Sequence, residues 1–355
     1  MRVPAQRLRQ LIVDVLTAWG MDAADAEITA EVMVDTDLAG IDSHGVSMLM
    51  TYENFRAEGT LLVAERPVVR RENAATALVD ARRGLGHPAS ATAMRMAIDK
   101  ARSGGVGVVS VVNSHHFGAA GYYAQMAAER GLVGLVTSSA NLPCSPPTGS
   151  VLPRLATNPI AFAAPAARNP DFLLDIATTT AAVNKVKVHG YRGEPLPEGW
   201  VVDDAGEPVT DPVRGLRILR HEDAGGLTPL GGSPEMGSHK GYGLSMMAHI
   251  LAATLCGGTF PASRDPERPQ NIGHFFLAVD PTSFRSPGQF EDDLDDALDV
   301  LHGTPPLDPA KPVLVAGDPQ DRARHERARE GIPVPGPLAE QLRELAGRAG
   351  VDCDL

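Results

Sequence analysis

Apolar residues recur with helical spacing through the first sixty positions of the chain. Leu8, Leu11, Ile12, Val15 and Leu16 share one face over residues 4–18, and Gly20 ends the pattern. Asp22 is placed to cap a second helix that reaches about Leu38 and stops at Gly40. A third helical stretch is predicted over Val46–Glu58. The pattern then changes. Short β-branched or apolar runs occur at Thr76–Val79, Val106–Val112, Leu132–Val136, Pro159–Ala163 and Phe172–Ile176, with helical stretches at Pro88–Arg102 and Ala119–Arg130. Strand and helix in alternation predict an α/β domain. Leu244–Leu255 is apolar on nearly every face, which predicts a buried helix, and Ile272–Val279 reads as another buried strand. Charged helix returns from Gln320 to Ala349, broken by the Pro- and Gly-containing stretch Gly331–Pro337.

A chain of 355 residues suggests two interlocked domains or one large one. Its 43% hydrophobic and 21% charged content is that of a globular enzyme with a sizeable core. Acidic residues number 44 against 32 basic ones, a net charge of −12. That balance speaks against a nucleic-acid binder, which needs a basic footprint; it leaves room for a small anionic substrate held by one or two local cations. Cys144, Cys256 and Cys353 are scattered and form no CxxC pair, so neither a disulfide framework nor a metal site is expected. The N-terminal segment carries Asp14 and no signal-like apolar run, and no stretch approaches the roughly 20 apolar residues of a membrane span. A cytoplasmic protein with no membrane partner is the expectation.

A dinucleotide fingerprint G-x-G-x-x-G should follow a strand, but Gly104-Gly105-Val106-Gly107 precedes one. The better candidate is Val106–Val112 running into Asn113–Gly121, where a small-residue turn opens a helix whose free N–H groups could meet an anion. A tight strand-to-helix turn explains it equally well. Three further loops carry reactive side chains. In Gly40–Val46, His44 suits proton exchange near neutral pH, Ser43 can donate to a substrate oxygen, and Asp42 can orient a neighbour. No G-x-S-x-G elbow surrounds Ser43, which argues against a hydrolase, and the loop taken alone serves equally as a helix cap. Thr157-Asn158-Pro159 makes a rigid turn before a strand. Lys240, in the Gly237–Leu244 segment that opens the apolar helix, can neutralise a phosphate or carboxylate.

Taken together, Asp42–Val46 with Tyr52, Asn113–Tyr123, Leu155–Pro165, Asp175–Lys185 and Gly237–Gly243 resemble, in order and spacing, the type-2 malate/L-lactate dehydrogenase family. That family also holds ureidoglycolate, sulfolactate and diketogulonate oxidoreductases and cyclic-imine reductases. The resemblance implies a non-Rossmann α/β domain with an unusual mixed sheet, expected over residues 76–284, that binds a nicotinamide. This domain would pack on a helical domain built from both chain ends, residues 1–75 plus 285–355. It implies a homodimer that uses NAD or NADP, NAD first, to move a hydride at C2 of a small 2-hydroxy or 2-keto acid. By the same resemblance His44 is the acid/base with Ser43 as its partner, Tyr52 and His116 line the site, and Thr157 contacts substrate. His116, Phe117, Gly118, Ala119, Ala120, Asp175, Ile176, Ala177, His239, Lys240 and the Ala316-Gly317-Asp318 segment would hold the cofactor. Lys185 stands where the family often has Lys and one branch uses Asp as a relay partner of the histidine.

The chain also departs from the pattern. The family usually reads Ser-His-Gly-x-x-Arg, its Arg gripping the substrate carboxylate, and here that position is Met48. Arg154 and Lys185 are the candidate replacements, and Gly231–Met236 is slightly longer than in common members. The rivals are a reductase of a cyclic imine or diketo sugar acid, against whose imine form Lys185 weighs, and a catalytically silent nucleotide binder. The joint retention of Ser43, His44, Tyr52 and His116 counts against the silent binder.

Overall fold

The computed structural model describes residues 1–263, 265 and 271–355. The chain forms two compact units: residues 1–136, 161–175 and 276–355 in the first, 137–160 and 176–275 in the second.

In the first unit the predicted amphipathic face of the N-terminal helix is the buried one. Helix α1 (Ala5–Ala18) turns Leu8, Leu11, Ile12, Val15 and Leu16 inward. Each such side chain contributes about 1.5–3 kcal/mol when fully buried. The Asp22 carboxylate accepts the Ala24 N–H and caps α2 (Ala23–Leu38), as its position before the helix predicts. A 3₁₀ turn at Val46–Met48 leads into α3 (Leu49–Ala57), which buries Leu49 and Tyr52. The far end of the chain joins the same apolar cluster through α11 (Gly336–Ala349), with Leu342 and Leu345 inside. Strands β1 (Arg2–Val3) and β12 (Ile332–Pro333) pair antiparallel and tie the two ends together. The helical layer is therefore built from both chain ends.

The sheet has seven strands in the order β2 (Val68–Glu72), β3 (Thr76–Asp80), β4 (Val106–Ser114), β11 (Ile272–Val279), β5 (Val133–Ser138), β6 (Ile160–Ala164) and β7 (Phe172–Ile176). It is mixed, for β3 runs antiparallel to β2 and parallel to β4. Strand β2, charged and largely exposed at the sheet edge, gave no apolar signal in the sequence. Helices α4 (Gly86–Gly104) and α5 (Ala120–Ala128), the latter through Tyr123, share a core with Val79, Val109, Val111 and Phe276 of the sheet. The Gly104–Gly107 run has a structural task. Gly105, at φ +82°, ends α4, and a Cβ on Gly107 would collide with the Ala97 carbonyl, so α4 lies directly on the strand. Helix α9 (Gln289–His302) buries Asp295, whose carboxylate accepts the N–H groups of Ala167, Arg168 and Asn169; α10 (Asp318–Glu330) follows. Although burial raises the Asp295 pKa, these N–H donors outweigh it and hold the group at about 2.

The second unit has its own apolar cluster, including Val186, Val201, Ile218 and Leu227. It contains α6 (Val183–Arg192), α7 (Pro212–His221) and a small sheet ordered β10 (Gly226–Leu227), β8 (Val201–Val202), β9 (Pro208–Val209). Helix α8 (Ser238–His249) continues as a π turn over Ile250–Thr254. The expectation of a helix buried all round is corrected here. Ser245, Ala248, His249, Ala252 and Ala253 face inward, whereas Met247 is 40%, Ile250 49% and Leu255 61% exposed. The chain's own neighbours cover one side of this helix only. No helix among the described residues is long and apolar enough to cross a membrane.

Candidate active site

Two loops of the first unit bring the imidazoles together. The first leaves the end of α2, where Gly40 adopts φ +81° and the Ile41 N–H returns to the Thr36 carbonyl. Arg327 of α10 donates to the Asp37 carbonyl and pairs with the Asp42 carboxylate. Asp42 therefore braces the loop against α10. Ser43 Oγ lies 2.7 Å from His44 Nδ1. Burial lowers the His44 pKa from 6.5 to about 4, so the ring is neutral at physiological pH.

The second loop follows β4. The Tyr52 hydroxyl, on the fully buried face of α3, lies 2.7 Å from His116 Nδ1, and the Gly118 N–H donates to the same nitrogen at 3.3 Å. An amide can only donate, so Nδ1 carries a lone pair, the phenol donates to it, and the proton of the neutral ring sits on Nε2. Burial pushes the Tyr52 pKa well up, which keeps that phenol protonated. The His44 and His116 rings are 5.3 Å apart. His87, which the sequence reading missed, is fully buried in the first turn of α4. Its ring meets Tyr52 edge-on at 5.8 Å and His116 at 6.4 Å. The neighbouring Gly86 N–H donates to the His116 carbonyl at 3.1 Å. Nothing in the local sequence marks His87, because its partners lie far along the chain.

The expected cofactor segments of this unit also converge. Phe117 is core, stacked on Tyr123 at 5.2 Å, and Gly118, at φ +83°, turns the chain into Ala119 and Ala120. The start of α5 has no side-chain cap of its own; the Gly121 N–H donates 2.8 Å to the Asp175 carboxylate. Burial raises the Asp175 pKa to about 6, against the pull of that N–H. The anion at this helix start is thus the chain's own carboxylate. The Leu173 N–H donates to the Ala316 carbonyl at 3.1 Å, and Gly317, at φ +108°, has room for no Cβ without crowding Leu173 N at 3.2 Å. Asp318 accepts the Val315 N–H and pairs with His302 at 2.9 Å. Beside these segments is a cavity of about 550 Å³, lined among others by Tyr122, Leu173, Gly317, Asp35, Glu129 and Asp171.

Within the second unit, the Thr157 carbonyl accepts the N–H and hydroxyl of Thr178 at 2.9 and 3.0 Å. The buried Asn158, at φ +29°, donates to Ser245 of α8. Ile176 and Ala177 are half-buried where β7 ends. His239 and Lys240 are exposed in the first turn of α8, Lys185 is exposed in that of α6, and the Arg154 guanidinium is exposed and donates to the Pro153 carbonyl.

The family described as malate/L-lactate dehydrogenase matches residues 3–343 of the chain. The chain belongs to the malate/L-lactate dehydrogenase family. It is 37% identical over 353 residues to a malate dehydrogenase of Pyrococcus abyssi, covering 99% of this chain and 95% of the relative. A Δ1-pyrroline-2-carboxylate/Δ1-piperideine-2-carboxylate reductase of Pseudomonas putida is 38% identical over 259 residues, 73% of this chain and 72% of that one. The crystal structure of malate dehydrogenase from Entamoeba histolytica superposes with a TM-score of 0.96 at 28% identity, covering 100% of this chain and 99% of the other.

As a member of this dehydrogenase family the protein is an oxidoreductase, and its departure from the family pattern has a clear location. Met48 ends the 3₁₀ turn before α3, half-buried against the apolar cluster of the helical layer. A thioether there packs where a guanidinium would have had to stay wet.

His44 also makes a stability prediction. Its folded pKa of about 4 lies below the unfolded 6.5, so the unfolded chain binds a proton first as the pH falls. Unfolding free energy should drop between these values by up to about 1.4 kcal/mol per pH unit and level off below them. Urea titrations of the protein and of His44→Gln from pH 7 to 4 check this: the variant should show a flatter profile.

Proposed function

We propose that the protein is a cytoplasmic, NAD-dependent dehydrogenase that interconverts a small 2-hydroxy acid and its 2-keto acid. The observation that carries this reading is the pairing of Ser43–His44 with Tyr52–His116, two neutral imidazoles 5.3 Å apart, each held through Nδ1. A nicotinamide, when bound, accepts or supplies the hydride at C2. His44, neutral above about pH 4, takes the hydroxyl proton in oxidation and returns it in reduction, with Ser43 holding its Nδ1. Nε2–H of His116 is a fixed donor for the oxygen that becomes or was the carbonyl, and Tyr52 keeps that tautomer in place. Thr157 contributes a substrate contact.

The residues present suit a dinucleotide. Asp175, bonded to the Gly121 N–H at the start of α5, is proposed as an acceptor for ribose hydroxyls, and Tyr122, Leu173 and Gly317 of the neighbouring segments line the cavity. By the family resemblance, Ile176, Ala177, His239 and Lys240 are also proposed as cofactor contacts. Carboxylates outnumber guanidinium groups around that cavity, and Arg324, one of the guanidiniums, is already engaged bidentately by Asp35 at 2.9 and 3.0 Å. A cofactor carrying an extra phosphate would meet uncompensated negative charge, which supports NAD over NADP.

The substrate carboxylate needs a cation in place of the family's Arg, and the exposed Lys185 and Arg154 are the proposed ones. The Pseudomonas putida relative supports a second reading within the family, reduction of a cyclic imine carboxylate. A homodimer is proposed on the open face of α8, where Met247, Ile250 and Leu255 form an apolar stripe at helical spacing.

NADH with a panel of 2-keto acids and cyclic imine carboxylates should show nicotinamide oxidation with a 2-keto acid; turnover with the imines alone would select the second reading. His44→Ala should lower turnover at least about a hundredfold with NADH affinity unchanged. In the same fluorescence titration NADPH should bind about tenfold more weakly than NADH, a difference of about 1.4 kcal/mol. Met48→Arg should lower KM for pyruvate several-fold by adding a second cation to the one proposed at Lys185 or Arg154, and an unchanged KM would mean that one cation suffices. Ile250→Asp should convert a dimer to a monomer in sedimentation velocity, while a monomeric parent protein would remove the dimer from the proposal.

A further inference from the structure

Asp37 is a carboxylate that the proposed chemistry does not use, yet it lies directly under the His44 loop. It occupies the last turn of α2 and is 2% exposed. Its Oδ2 accepts the Val46 N–H at 2.8 Å. A Cβ on Gly45 would overlap the Asp37 carboxyl group, so the carboxyl lies flush against the Gly45 backbone. Gly45 and Val46 are the two residues that follow His44. On the other side of the histidine, the Gly40 N–H returns to the Asp37 carbonyl at 3.1 Å and the His44 N–H to the Ile41 carbonyl at 3.0 Å. The whole loop therefore leaves from Asp37 and comes back to it.

A buried carboxylate is a costly way to accept one amide hydrogen bond. The charged groups that face it are Asp42 and Arg327, and these pair with each other. Burial raises the Asp37 pKa to about 8, the Val46 N–H and Arg327 opposing and Asp42 assisting. The group thus carries a proton for much of the time at neutral pH and holds the loop chiefly by shape and by its carbonyl-like acceptor.

We propose that Asp37 is a positioning residue for the reaction, fixing the His44 imidazole by gripping Gly45 and Val46. The inference rests on the reading of His44 as the acid/base. It places in one side chain the acceptor for Val46 and the surface that excludes a side chain at position 45.

Asp37→Ala and Asp37→Asn, made beside His44→Ala, test it through kcat, KM, the NADH dissociation constant and the thermal midpoint. The amide of Asp37→Asn keeps both the volume and an acceptor for the Val46 N–H. Asp37→Ala should lose at least about tenfold in kcat, with NADH affinity within about twofold of the parent, and Asp37→Asn should recover most of that loss. Recovery by Asn of a kcat effect that spares cofactor binding is not expected of a residue needed only for folding. Parent-like kcat in Asp37→Ala while His44→Ala is inactive would overturn the proposal. Parent-like turnover in His44→Ala would instead remove the reading on which it rests. Should Asp37→Ala fail to fold, Gly45→Ala probes the same contact from the loop side: its methyl must displace the carboxyl, and an undiminished kcat there would equally overturn the role of Asp37.

Discussion

The hydrogen bond from the buried Tyr52 hydroxyl to His116 joins two apolar cores, and the arrangement of the site follows from it. Tyr52 belongs to the helical cluster that includes α1, α3 and α11, while His116 leaves the end of β4, in the cluster under α4 and α5. Neither core alone defines the position of an imidazole relative to the other. Each must be packed before a phenol on one reaches a ring nitrogen on the other at 2.7 Å. Breaking such a bond would leave a buried hydroxyl unsatisfied, at about 1–3 kcal/mol. Gly118 gives the same nitrogen a second donor, so the tautomer of His116 is set by backbone as well as side chain.

Around this bond the charges are arranged to leave His44 neutral. The acid nearest in sequence to His44, Asp42, is drawn away to Arg327, and burial depresses the His44 pKa without a carboxylate to restore it. A carboxylate paired with His44 would have favoured imidazolium and left less of the ring in the neutral form at a given pH. At the start of α5 the opposite choice is made: Asp175 is kept close to the helix N–H groups, where its charge interacts favourably with the helix dipole. Negative charge is thus held at the start of α5 by Asp175, while that of Asp42 is drawn from His44 to Arg327.

The sequence made legible what depends on near neighbours. Helical spacing located α1, and short β-branched or apolar runs located the inner strands, because burial in those elements is one-sided or complete, while Asp22 capped α2 from the adjacent position. What depends on distant neighbours was not legible. His87 meets Tyr52 and His116 across the fold, and the edge strand β2 has no apolar periodicity to detect. The apolar stretch Leu244–Leu255 gave the helix but not its open face, since composition cannot say which neighbours will be present. The turn after β4 offered a phosphate site in the sequence, and only the fold brings Asp175, more than fifty residues away, onto Gly121. Ser43, His44, Tyr52 and His116 could be named together because the resemblance supplied their association; spacing alone left the Asp42–His44 loop equally readable as a helix cap.

The position of Met48 shows why one scaffold can serve several substrates. The side chains proposed to handle the proton are anchored by cores: Tyr52 is fully buried, and the His44 loop is closed on α2 by backbone hydrogen bonds. Changing any of them disturbs packing as well as chemistry. Met48 lies at the junction between the 3₁₀ turn and α3, half-buried, with the apolar cluster on one side. A long unbranched side chain at that point can lay its stem on the cluster whether it ends in a thioether or a guanidinium. Exchange at this position therefore costs little stability, while it removes or supplies the charge proposed to grip a substrate carboxylate. On the proposed reading, substrate recognition can change there without disturbing Ser43, His44, Tyr52 or His116, and the family to which the chain belongs includes a malate dehydrogenase and a reductase of cyclic imine carboxylates.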